Sequence, residues 1–327
     1  MRLLTSILAA VFLLGLAAPL FAADEKLEPA RAVTKEAAAA PEAEHEGLPP
    51  AAPVVFNVGK LPVTNSMLVT WVVALGIIIF AQLATRNMKA VPEGAQNFWE
   101  WLVEGLYNFL EGIVGPDLVK RTFWFFATIF IFILFTNWFG LIPGVGTIGW
   151  GDPAPGGGTF LGLANLHHVK EPLLRGGNAD LNMTFAMAAV FMVLWLVWAL
   201  QHNGLWGFAL HIFGPKGDNT GFIKYLMIVI FFAVGFLELI SIAFRPISLS
   251  FRLYGNVFAG ENLLEAMSNA VQHPAWARSI FSVLLPVPFY FLEILVGLVQ
   301  AFVFMLLTTV FTALICAHEE EHPKHAH

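Results

Sequence analysis

Charge is scarce in this chain of 327 residues: Asp, Glu, Lys and Arg make up only 12% of it, against about a quarter in an ordinary soluble domain. That shortage excludes a soluble globular protein, and the richness in apolar residues excludes a disordered one. Cysteine is nearly absent. A single residue, Cys316, rules out an intramolecular disulfide and any site built from several thiolates. No basic patch is present, so nothing points to nucleic acid. A phosphate-binding loop is missing too: Gly156-Gly157-Gly158 is not followed by Lys-Ser/Thr. No nucleotide site, cofactor or metal site is expected, and His322, His325 and His327 read as a solvated tail. What remains is apolar: 57% of the residues are hydrophobic and 31 are Phe.

The apolar residues fall into runs. Met1-Arg2 precedes an uncharged Leu/Ala-rich stretch ending in Ala22-Ala23-Asp24. This is the layout of a signal peptide over 1–23; the alternative is an uncleaved anchor. Residues 24–60 hold seven acids and five prolines, and read as a flexible extracytoplasmic tail. Five membrane segments follow within 61–321, and 322–327 form a short C-terminal tail. The first three uncharged runs are 61–85, 122–151 and 181–215, each longer than the ~20 residues that cross a bilayer. Their helices are expected to stop near Thr85, Pro143-Gly144 and Asn203-Gly204. The last two, about 222–271 and 279–317, are too long to stand upright and should tilt or bend, with Pro246, Pro286 and Pro288 as bend points. A turn near His273-Pro274 joins them as an antiparallel hairpin. Between the first two spans, Glu93, Glu100, Glu104 and Glu111 alternate with aromatic and leucine residues at helical spacing, as in a helix lying at the interface. The fold class is therefore all-α and polytopic.

Lys and Arg in short loops set the orientation. Arg86, Lys89, Lys120, Arg121, Lys216 and Lys224 fall on one side; Lys170, Arg175 and Arg278 fall on the other. The richer side is read as cytoplasmic, which puts the N-terminus outside and the C-terminus inside.

The last two segments carry charges. An ionisable group at mid-membrane is costly, about 2.5–3.5 kcal/mol even on a mild scale. At 100° per residue, Glu238, Ser241, Arg245, Ser248, Arg252 and Asn256 form one polar stripe about 27 Å long. Arg245 belongs to it or snorkels toward the surface. Glu261 points to the opposite face, and Glu265 reads as interfacial. On the last segment Glu293, Gly297 and Gln300 repeat the pattern. Counting from the hairpin turn, Glu261 and Glu293 lie in the outer half, Arg252 and Gln300 near the middle, Glu238 in the inner half. Acids near each surface with one arginine between is the layout of two offset aqueous half-channels. Glu261 and Glu293 are expected to share one relay site; the alternative is that Glu293 is a lone buried acid. Asp180 is read either as the N-cap of the third span or, with Asn182, as channel lining.

Residues 246–261 read PISLSFRLYGNVFAGE, preceded by FLELISIAFR and followed by LVQAFVFMLLTTVFTALICAHEEEH. With TNWFGLIPG at 136–144 and ADLNMT at 179–184, the chain resembles subunit a of the F-type ATP synthase membrane sector over about 55–322. The resemblance implies a non-catalytic stator subunit in a bacterial inner membrane. Its partners would be a ring of c-subunits packed against the last hairpin, the b-subunit stalk and the rest of the F1Fo complex. Its ion would be H⁺, with Na⁺ open. Arg252 would be the essential arginine facing the ring carboxylates. Asn256, Glu261, Glu293 and Gln300 would line the channel region with it, and Glu238 and Ser241 the cytoplasmic half-channel. Glu293 stands where some members have histidine; the signal peptide and long tail are further departures. The alternative function is a proton-coupled secondary transporter, against which stands the lack of internal repeats.

Overall fold

The computed structural model describes residues 52–58, 61–142, 145, 149–153, 167–172, 174–214, 222–271 and 274–316. The expected signal peptide, most of the tail before Val54, the glycine run at 156–158, His273 and the C-terminal histidines lie outside the described residues. Strand β1 (Val54–Val58) pairs antiparallel with β2 (Leu61–Thr64). Part of the stretch read as a tail, 54–58, is thus a strand: β-branched and aromatic residues in Val54-Val55-Phe56 suit a pleated strand. A second hairpin joins β3 (Gly149–Pro153) to β4 (His167–Pro172).

The helices are α1 (Asn65–Thr85), α2 (Ala95–Gly140), α3 (Leu181–Phe213), α4 (Phe222–Ser268), α5 (Ala275–Leu284) and α6 (Pro286–Cys316). A short 3-10 turn, Gly177–Ala179, leads into α3. Among the described residues, five stretches are long and apolar enough to cross a membrane: α1, α2, α3, most of α4, and 280–316. The all-α polytopic class holds.

Helix α2 contains both the interfacial helix and the second span. They meet at Gly115, whose φ of 78° and ψ of 167° break the helix. A side chain is strained there, and Pro116, with φ fixed and no amide hydrogen, suits the restart. Before the break, Trp99, Leu106 and Leu110 pack inward, but Trp101 is 69% exposed. The apolar residues of this helix thus face two ways, where one face had been expected; an outward Trp fits a membrane–water interface. After the break, Phe125, Phe126, Ile129, Phe132 and Ile133 are all buried. A helix apolar on every side belongs in the centre. It packs chiefly along α6, while α3 packs along α4.

One boundary differs from expectation: helix α3 does not end at Asn203-Gly204. Gly204 (φ 67°, ψ 171°) interrupts it, and helix resumes to Phe213. The expected bend at Pro286 appears as a break, where the separate α5 gives way and Pro286 opens α6. Lacking an N–H, proline is at home in a first helical turn, where that donor would be unpaired anyway.

In lipid, no hydrophobic force drives one apolar helix onto another; close packing and polar contacts must do it. The contacts cluster at the two ends of the bundle. At one end, Asn178 Nδ2 donates to Asn137 Oδ1 (2.7 Å), Asn137 Nδ2 to the Gly297 carbonyl (3.0 Å) and Trp138 Nε1 to the Ile294 carbonyl (3.1 Å). At the other end, Trp195 Nε1 donates to the Phe311 carbonyl (3.0 Å) and Asn203 Nδ2 to the Ile315 carbonyl (2.9 Å). Hydroxyls inside the spans bond back to their own helix, as Thr308 does to Phe304 and Met305.

Candidate functional site

Helix α4 is the outlier. Only 6% of its most apolar window is buried, against 72% for α2. One long face therefore has no partner among the described residues. On that helix Ser241, Arg245, Ser248 and Arg252 line a groove of about 290 Å³, closed by Leu307 and Phe311 of α6. These are four members of the stripe expected from helical spacing. Arg252 is exposed, lies near the midpoint of the span and has no ion pair among the described residues. Arg245 does something else. Its guanidinium stands over the Phe311 ring at 4.4 Å and the Trp195 ring at 5.5 Å. Cation–π contacts of this kind help to hold a charge away from water, so Arg245 ties α4 to α3 and α6 rather than reaching for the surface. Glu238, Asn256 and Gln300 are partly buried on α4 and α6 and stand outside the lining of the groove.

A second polar site lies at the end of the bundle where α1 and α3 begin and α2 ends. The loop before α3 enters the interior there, and its glycines make that possible. A Cβ on Gly177 would stand 2.8 Å from both Thr136 Cγ2 and Thr70 Oγ1; one on Gly140 would stand 3.2 Å from Gly176 Cα. Asp180 closes the loop. Its side chain accepts from the Asn182 N–H (3.0 Å) as N-cap of α3 and from Ser66 Oγ (2.6 Å) across to α1. The N-cap reading of Asp180 is the one seen here. The loop delivers Arg175, whose side chain is 2% exposed, to Glu261 on α4, with Nε 3.5 Å from Oε2.

Glu261 and Glu293 are brought together. Gly260, next to Glu261, has no Cβ, and the Glu293 carboxylate occupies the space that a Cβ would need. Glu261 Oε1 likewise fills the space beside Gly176, 2.8 Å from where a Cβ would stand. The expected separation of Glu261 from the Arg252 face also appears: Glu261 is buried toward α1–α3, Arg252 is open. Sequence reasoning missed Arg175, counting it only as a loop charge. The available signal was an arginine within six residues of an N-cap acid and next to two glycines.

Five apolar spans among the described residues, with an exposed guanidinium in one and two adjoining carboxylates on the last two, define a multi-pass membrane protein. The family model for the ATP synthase A chain matches residues 67–313. Similar relatives include "ATP synthase subunit a" of Moorella thermoacetica, 29% identical over 79% of this chain and 94% of the relative. Another is "ATP synthase subunit a" of Gloeobacter violaceus, 28% identical over 82% and 91%. A third, "ATP synthase subunit a, sodium ion specific" of Propionigenium modestum, is 30% identical over 83% and 80%. The chain belongs to the ATP synthase A chain family. It is accordingly a stator subunit of the Fo membrane sector and part of an F1Fo complex with a c-ring; the secondary-transporter alternative falls away.

Proposed function

We propose that the open face of α4 docks against the c-ring and that Arg252 confronts each ring carboxylate in turn. A protonated carboxylic acid crosses lipid at tolerable cost and an ionised one does not. Beside Arg252 the ionised form is favoured, so the proton leaves there through one half-channel. The next carboxylate is reloaded from the other before re-entering lipid. The fixed charge of Arg252 also blocks a straight proton wire between the two. Glu261 and Glu293, with Asn256 and Gln300, serve the outer half-channel; Glu238 and Ser241 serve the inner one. The membrane potential supplies about 2.3 kcal/mol per charge per 100 mV. The remaining parts of the proposal are a bacterial inner membrane, the N-terminus outside and the C-terminus inside, and contact with the b-subunit stalk. Domain limits of 1–23, 24–60, 61–321 and 322–327 belong to it as well.

The observation that carries this reading is an exposed Arg252, without an ion pair among the described residues, on the least buried apolar helix. A guanidinium at that depth needs a carboxylate from outside the chain. The test is ATP-driven ion pumping in vesicles containing the whole complex, with and without sodium. Arg252→Ala is expected to insert and assemble but to pump at background level. Wild-type pumping by that variant overturns the reading.

A further inference from the structure

Arg175 belongs to no part of that mechanism so far. Its side chain is buried, 2% exposed, and its guanidinium lies over the Phe258 ring at 5.8 Å. Glu261 Oε2, 3.5 Å from Arg175 Nε, accepts no hydrogen bond among the described residues. Charge-assisted hydrogen bonds are normally ~2.7–2.9 Å, and Arg–carboxylate pairs are often bidentate. The approach to Oε2 is longer than that, so a lone pair on Oε2 remains open to a proton. Two further carboxylates act on Glu261: Glu293 comes from α6, against Gly260, and Glu265 lies one turn on along α4. Asp180, farther along the same loop, is engaged by Ser66 and Asn182. Carboxylates crowded in low dielectric do not all ionise together. One fixed guanidinium offsets one of them.

We propose that Arg175 is a positioning residue of the outer ion path: it holds Glu261 toward Glu293 and sets how many protons the carboxylate cluster carries. The inference rests on the reading of Glu261 and Glu293 as the outer relay and deepens it. In each step an O–H bond breaks on one carboxylic acid or water and forms on the neighbouring carboxylate; no other bond changes. With Arg175 in place, the cluster gives up its last exchangeable proton readily. Without it, that proton is retained until the medium on that side is more alkaline.

The experiment measures ATP-driven pumping by the assembled complex in vesicles against the pH on the face bearing the cluster. Arg175→Gln is expected to move the profile to alkaline pH by about one unit or more. Arg175→Lys keeps the charge and should stay close to wild type. Removing a neighbouring acid should act oppositely, so Glu265→Gln should move the profile to acid pH. A wild-type profile in Arg175→Gln overturns the proposal. Should that variant fail to assemble, a wild-type profile in Glu265→Gln overturns it instead. Failure is separable from failure of the half-channel reading. Pumping by Arg252→Ala sinks that reading, whereas a silent Arg252→Ala beside an unshifted Arg175→Gln sinks only this inference.

Discussion

At the residue scale, three arginines near the membrane are held in three different ways. Arg175 has a carboxylate, Arg245 has two aromatic faces, and Arg252 has neither among the described residues. A fixed charge waiting for a partner from another chain must not lose its proton when that partner is absent. Guanidinium meets this requirement and ammonium does not, since buried lysine deprotonates readily. Arg252→Lys is therefore expected to fail as Arg252→Ala does. Pumping above a tenth of the wild-type rate would show that charge alone is enough. Arg252 and its stripe were legible in the sequence because helical spacing is a local property: counting 100° per residue put Ser241, Arg245, Ser248 and Arg252 on one face and Glu261 on another. Arg175 was not, because a contact from a loop to a distant helix leaves no period to count. Nor does spacing on α4 reveal that Trp195 and Phe311, from two other helices, would enclose Arg245.

At the scale of elements, the loop before α3 sits deep enough to touch α1, α2 and α4. The glycines let it in, so their replacement should act on packing first and chemistry second. Gly177→Ala puts a methyl 2.8 Å from atoms of both Thr70 and Thr136. Overpacking of this kind costs about 1–3 kcal/mol. The expected outcome is a lower level of assembled protein on immunoblots and a lower melting temperature in detergent. Pumping per assembled complex should change less than twofold. Normal assembly and stability would mean that the two threonines give way freely. The existence and class of the spans were readable from uncharged length, and the interfacial helix from its acids. Their exact limits were less so. Glycine stops a helix in one setting and merely kinks it in another, as at Gly115 and Gly204, and the choice depends on packing beyond the local window. The strand at Val54–Val58 was hidden for a similar reason: its partner β2 lies in what looked like the start of a span.

At the scale of the whole molecule, Glu261 and Glu293 gather at one end of the bundle, and Glu238 lies on α4 toward the other. The proposed orientation then makes a sidedness prediction. After replacement of the buried free thiol Cys316, Glu261→Cys and Glu293→Cys should react with an impermeant thiol reagent added outside. Glu238→Cys should react with reagent from the cytoplasmic face. Labelling of Glu238→Cys solely from outside reverses the topology.

The polar contacts of α6 have a mechanical consequence. Near its start the carbonyls of Ile294 and Gly297 are held by α2, and near its end those of Phe311 and Ile315 are held by α3. The helix is thus a beam pinned at both ends to the interior of the bundle. Its neighbour α4 packs along α3 and is fastened besides by the Arg175–Glu261 pair and the rings around Arg245. A sideways push from a turning ring would reach α4 first. The pinned beam behind it would carry that push into α2 and α3, so the wall of the groove formed by Leu307 and Phe311 is expected to shift less than the wall bearing Arg252.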